Sequence, residues 1–149
     1  MAILSGDPVR FKSLVDLYRK AGIEAGHTLE SLKIGVTGHG YISKTAQQAK
    51  DEFYPYYLNY WSYVNRQRGM AGRMMSQVDF EHMTASDAAL FVGSPQQIVE
   101  KILYQYELFG HQRFLMQMDI GGIPFKKVAE GIELLATEVA PIVRRETAK

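Results

Sequence analysis

Three times along this chain a short apolar run stops at a glycine-bearing corner and gives way to the signals of a helix. Ala2-Ile3-Leu4 meets Ser5-Gly6-Asp7, Ile34 and Val36 lead into Thr37-Gly38-His39-Gly40-Tyr41, and "RFLMQMDI" ends at Gly121-Gly122. Strands joined by helical crossovers of this length pair in parallel, with right-handed connections. The resulting order is strand, helix, strand, long helical excursion, helix, strand, helix. Three such strands leave two open sheet edges, whereas a closed (β/α)8 barrel takes eight. The chain reads as α/β: part of a TIM barrel or of an open sheet, about three parallel strands with helical crossovers and a helical insertion. A length of 149 residues fits one domain over the whole chain.

The helices carry their own punctuation. Asp7 caps the first and Pro8 takes its first position, where a missing N–H costs nothing. Phe11, Leu14, Val15 and Tyr18 then form the face by which it is expected to pack. A second helical stretch is expected from near Ser43 through "KTAQQAKDEFYPYYLNYWSYVNRQR", with Pro55 forcing a kink or a break, so one helix or two. Residues 67–90 lack a clean period and read as an irregular excursion over a binding face. Next, Ser94-Pro95-Gln96-Gln97 forms a Ser-x-x-Gln capping box. Ile98, Ile102, Tyr106 and Phe109 make its buried stripe, and Gly110 ends the helix. The third strand, almost unbroken in its apolar residues, is expected to be covered on both faces. Val128, Ile132, Leu135, Val139 and Ile142 define the final amphipathic helix.

A net charge of +1 with both signs scattered leaves no basic stripe for nucleic acid or an anionic membrane. The better partner is a small or neutral molecule. Cysteine is absent, which removes disulfides and thiolate chemistry and suits a cytoplasmic protein. No leader and no membrane-spanning apolar stretch are seen.

In α/β architectures ligands meet the carboxyl ends of the strands, so the three glycine-bearing corners are the candidate site. Turn-making alone also explains such glycines. His39, between two glycines, can contact a ligand or exchange a proton near neutral pH, or simply bond a loop carbonyl. His27, His82 and His111 sit in connectors at no metal-ligand spacing. Asp119 can bind a ligand or the Gly121-Gly122 turn. The aromatic run from Phe53 to Tyr63 lacks the interleaved cations of a nucleic-acid platform and is assigned to helix packing or a partner interface. Met70, Met74, Met75 and Met83 form either a core gap or a pocket for a greasy substrate.

Taken together, "AILSGDPVRFKSLVDLYRKAG", "IGVTGHGYI", "DEFYPYY", "VGSPQQIVEKI", "YELFGHQRFLMQMDIGGIP" and "IELLATEVAPIVR" resemble the carboxyl-terminal part of the flavin-dependent, bacterial luciferase-like monooxygenases. The resemblance runs over essentially the whole chain in the right order. It implies a TIM barrel that binds reduced FMN, or in relatives F420, at its top, and uses O2 to oxidise an aldehyde, alkane or similar small organic molecule. The strands here are then the last three of eight. The family's catalytic histidine and most of its phosphate site fall on earlier segments outside this chain, so no catalytic residue is assigned. What remains of the pocket wall is Ser5, Gly6, His39 and Met118 for the cofactor, with Gly38, Tyr41, Met116 and Asp119 for the substrate. The open edge at Ala2 to Leu4 is expected to be covered by a second copy or by a missing N-terminal half. The alternative is a non-catalytic truncated homologue serving as a flavin-binding or oligomeric interaction module.

Overall fold

One strand organises the sheet. β1 (Gly35–Ile42) lies between β2 (Phe91–Gly93) and β3 (Arg113–Gln117), both parallel to it. The structure is a computed structural model that describes residues 1–3, 6–70, 72 and 74–148. The first half of β1 pairs with β3, from Gly35 opposite Arg113 to His39 opposite Gln117, and its last three residues pair with β2. The expected strand at Ala2 is a single parallel bridge: Thr37 N–H donates to the Met1 carbonyl and Ile3 N–H to the Thr37 carbonyl, each at 2.9 Å. Leu4 lies outside the described residues. β2 was not expected as a strand; three residues directly before a capping box are too short to show a period.

Helices α1 (Lys12–Glu24), α2 (Ala46–Gln67), α3 (Gln77–Thr84), α4 (Pro95–Phe109), α5 (Phe125–Leu134) and α6 (Ala140–Thr147) complete the described fold. α2 is one helix, capped by Thr45 rather than starting near Ser43, and it runs through Pro55. Pro55 and Asp51 are both exposed, so the carbonyl that loses its partner at Pro55 faces water, which lowers the cost. The excursion at 67–90 contains α3, whose capping box joins Ser76 to Asp79. His82 therefore stands on a helix, not in a connector. The Ser94–Gln97 box and the left-handed Gly110 (φ 56°) are present as expected, and the Arg19 guanidinium donates to the Phe109 carbonyl at 2.6 Å to close that helix end. α5 and α6 are joined by a π-helical turn, Leu135–Val139, and Ile132, on α5 before it, is half exposed.

Two expectations about burial are corrected. Alternation puts Arg113, Leu115 and Gln117 on one face of β3, and that face is exposed, while Phe114 and Met116 face the helices. The strand is covered on one side only, because α2 crosses the tops of β1 and β2 instead of lying along β3. On α1, Val15 is buried, whereas Leu14 (56% exposed) and Tyr18 (45%) are not. The main core lies between the helix-facing side of the sheet, α4 and α5, and extends to the α2 aromatics; Ile3, Val15, Ile34, Val36, Ala89 and Phe109 form a second cluster below it.

Candidate functional site

His39 and Tyr41 stand on the same face of β1, at its carboxyl end, and α2 lies over both. The helix presents Phe53, Tyr57 and Tyr60 at the 3- and 4-residue spacings that share a face. His39 sits edge-on to Tyr60 (5.0 Å between centroids) and to Tyr57 (5.9 Å), with its Nδ1 3.4 Å from the Tyr57 hydroxyl. Burial pushes the His39 pKa down and the Tyr57 phenol well up. The pair is thus a neutral imidazole beside a protonated phenol. A phenol that donates to Nδ1 leaves the ring proton on Nε2, which then acts as a donor.

Tyr41 stacks on Phe53 at 5.6 Å, and its hydroxyl donates to Glu52 Oε2 at 2.6 Å. Glu52 also pairs with Lys127 at 3.1 Å and accepts from Gln48. The Tyr41 hydrogen bond is the chief reason the Glu52 carboxyl lies below the usual range, and burial followed by that same contact drives the Tyr41 phenol strongly upward. This network ties α2 to α5 across the end of β1 and holds Tyr41 rigidly. Beside it Lys44, Lys127, Glu130 and Glu133 line a polar cavity of about 390 Å³.

Beyond β3, the exposed Asp119 continues the alternation of Leu115 and Gln117 on the open face. The following turn fits because Gly121, at φ 69°, packs directly on the α2 backbone: a Cβ there overlaps the Tyr56 carbonyl. Asn59 reaches the Gly121 carbonyl at 3.5 Å.

The residues singled out from sequence therefore divide into two sets. His39, Tyr41 and Asp119 lie on one side of the sheet, where α2 covers His39 and Tyr41 and Asp119 is exposed. Gly38, Met116 and Met118 point the other way, toward the helices. The Phe91 ring covers Gly38, Met116 lies under Gly40, and Met118 is 5% exposed in the core against Gly131. Gly6 is exposed with φ 82°, and Ser5 lies outside the described residues. Leu115, Gln117, Tyr57 and Tyr60 were missed. Strand alternation from Asp119 could have found the first two, and the spacing on α2 the others, but only with the pairing of β1 and β3 known. Met70, Met74, Met75 and Met83 line an open cavity of about 300 Å³ with Trp61. Among the described residues no cluster has metal-ligand composition.

Residues 1–112 match the luciferase-like monooxygenase family, and the chain belongs to it. Among solved structures it is similar to the monooxygenase RslO1 from Streptomyces bottropensis (21% identity, TM-score 0.71), over 95% of this chain and 41% of that one. It is similar also to the oxygenating constituent of 3,6-diketocamphane monooxygenase from Pseudomonas putida, solved with FMN (25%, 0.65), over 94% and 42%. A third is the coenzyme F420-dependent tetrahydromethanopterin reductase from Methanopyrus kandleri (18%, 0.56), over 95% and 45%. The chain thus spans about two fifths of the length of the structures it resembles. A search of curated protein sequences finds no match. The parallel sheet with its helical crossovers is a partial (β/α)8 barrel.

The open sheet face suits one side of a flavin. Leu115 gives an apolar surface for a ring, and Gln117 and Asp119 give an amide and a carboxylate at its rim. A phosphate does not fit at the start of the chain's first helical turn. There the Asp7 carboxylate already accepts from Val9 N–H at 2.8 Å and would repel a second anion.

Proposed function

We propose that this chain forms the carboxyl-terminal wall of the pocket of a flavin-dependent monooxygenase acting on a small organic molecule such as an aldehyde or alkane. FMN is the cofactor favoured, with F420 the alternative. The reading rests on one observation in a chain of this family: the exposed Leu115, Gln117 and Asp119 lie on the same side of the sheet as His39, which α2 covers, toward the carboxyl ends of the strands. When bound, the reduced flavin supplies the electrons that activate O2. In this reading Leu115 packs against the ring, while the Gln117 amide and the Asp119 carboxylate fix its orientation through its polar rim. His39 is held by Tyr57 and Tyr60 with Nε2 as a donor, and the α2 aromatics keep water from the top of the site. Because β3 is bare on this face, the rest of the wall comes from a second copy or from an N-terminal half, as a homo-oligomer or a complemented barrel.

Titration of the chain with FMN and with F420, followed by fluorescence, tests the proposal. Saturable binding that Leu115→Glu weakens by about tenfold is expected, a loss of roughly 1.4 kcal/mol. Oxygen uptake with a flavin reductase then reads the reaction. No binding of either cofactor at millimolar concentration overturns the reading and favours the non-catalytic interaction module, which the bare sheet face and the exposed α1 side chains also suit.

A further inference from the structure

β3 is an edge strand: β1 pairs with one side of it and no described strand takes the other, whereas the far side of β1 is held by residues 1–3 and by β2. The phase of the ladder decides which groups are free. Gln112 N–H donates to the Ile34 carbonyl at 2.9 Å, while Thr37 on β1 turns both its groups the other way, to Met1 and Ile3. In a parallel pair these directions alternate residue by residue. Phe114 and Met116 therefore bond to β1, and Arg113, Leu115 and Gln117 direct N–H and C=O to the free edge, where no hydrogen bond meets them among the described residues. Edges of this kind are normally blunted by proline, lysine or a bulge, and β3 has none of these. Beside the edge runs an open groove of about 600 Å³ whose lining includes Met116, Val128, Ile132 and the 81% exposed Phe125.

The edge is complementary to itself. Turned end for end about Leu115, it sets Leu115 opposite the partner's Leu115, Phe114 opposite the partner's Met116 and Arg113 opposite the partner's Gln117. Apolar meets apolar and polar meets polar. In this register each of Arg113, Leu115 and Gln117 faces a residue with N–H and C=O directed back at it, the hydrogen-bonded pairs of an antiparallel ladder. One residue off, Leu115 opposes the partner's Met116, whose groups are spent on β1. Diagonally across, Arg113 comes beside the partner's Asp119, and neither side chain makes an ion pair among the described residues. We propose that two copies of this chain pair antiparallel through the free edges of β3, on a two-fold axis at Leu115, so that one sheet runs through both. The grooves beside the two edges bring Phe125 and Ile132 of each α5 into the interface, apolar area that a strand pair alone lacks.

Because the chain has no cysteine, single-cysteine variants at the exposed β3 positions report the register directly, by copper–phenanthroline oxidation and a non-reducing gel. Opposed residues of a hydrogen-bonded pair lie about 5.5 Å apart at Cα, within disulfide reach, whereas the two copies of residue 113 stand about 14 Å apart. Leu115→Cys should therefore cross-link to a dimer, Arg113→Cys and Gln117→Cys should not when oxidised singly, and a mixture of those two should. Leu115→Pro removes an N–H that the β1 ladder does not use, a substitution edge strands tolerate. It should weaken the dimer by about tenfold or more in light scattering, with the fold verified by circular dichroism. Neither readout needs a cofactor, so failure here leaves the flavin reading standing. A wild-type monomer at submillimolar concentration, no cross-link at Leu115→Cys, or equal cross-linking of all three single variants overturns the proposal.

Discussion

Gln105 lies on α4 at 1% exposure, and neither its amide nitrogen nor its oxygen has a hydrogen-bond partner. A buried amide in that state costs more than the apolar side chain that could replace it. Gln105→Leu is expected to raise stability by about 1–2 kcal/mol, read as a higher urea midpoint at unchanged m-value. Lys101, also on α4, is 3% exposed; its ammonium donates to the carbonyls of Thr84 and Leu90 and so pins the end of α3 to the residue before β2. Burial pushes its pKa down to about 7, with Lys50 adding to the effect and Asp87 opposing it. Above that pH and below the ordinary lysine value of 10.5, the unfolded chain binds more protons than the folded one, so stability rises with pH through this window. The wild-type urea midpoint should increase from pH 7 to about pH 9, and Lys101→Met should lose that increase. Neither residue stands out in the sequence, where Lys101 and Gln105 read as polar members of an amphipathic helix. Burial on α4 comes from α6, β2 and the π-turn packing against it, with Thr84 and Leu90 closing over Lys101, which no local pattern reports.

At the scale of single elements, the best local signals are those whose chemistry is complete within four residues. Ser94 accepts from Gln97 N–H, and Gln97 Oε1 accepts from Ser94 N–H at 3.1 Å, so both orphan donors at this helix start are satisfied within the tetrapeptide. Ser94→Ala should cost about 1 kcal/mol, measured as a fall in thermal midpoint. Where an element depends on distant partners, reading by sequence fell short. The face of α1 containing Leu14 and Tyr18 has helical spacing, but nothing in the described chain covers it. The final helix has steps of four and three residues over its whole length, yet it contains a π-turn, which packs against α4. Pro55 was expected to kink or break α2; the helix instead continues, since exposure of Asp51 leaves its carbonyl to water.

For the whole molecule, the decisive feature is the uncovered side of the sheet. Leu115 is 50% exposed at its centre, and Leu14, Leu17 and Tyr18 add apolar surface on α1. Surface of this kind favours association. If copies pair through the sheet, light scattering after size exclusion should give a mass above that of one chain, and Leu115→Glu should return it to a monomer whose thermal midpoint no longer rises with protein concentration. A wild-type monomer at micromolar concentration would argue that the face is closed in another way. The parallel direction of β1 and β3, the Asp7 cap of the 3-10 turn Pro8–Phe11, the cap of α4 and the left-handed Gly110 follow from sequence alone, because each depends on neighbours a few residues away or on the length of a crossover. Which side of a strand is open does not. Alternation divides Met116 from Gln117 and Met118 from Asp119 but cannot say which of the two sets meets the helices. Only the packing of α2 over β1, and of α5 beneath it, decided that His39 is covered beside the exposed Gln117 and Asp119 on one side of the sheet while Met116 and Met118 face the core.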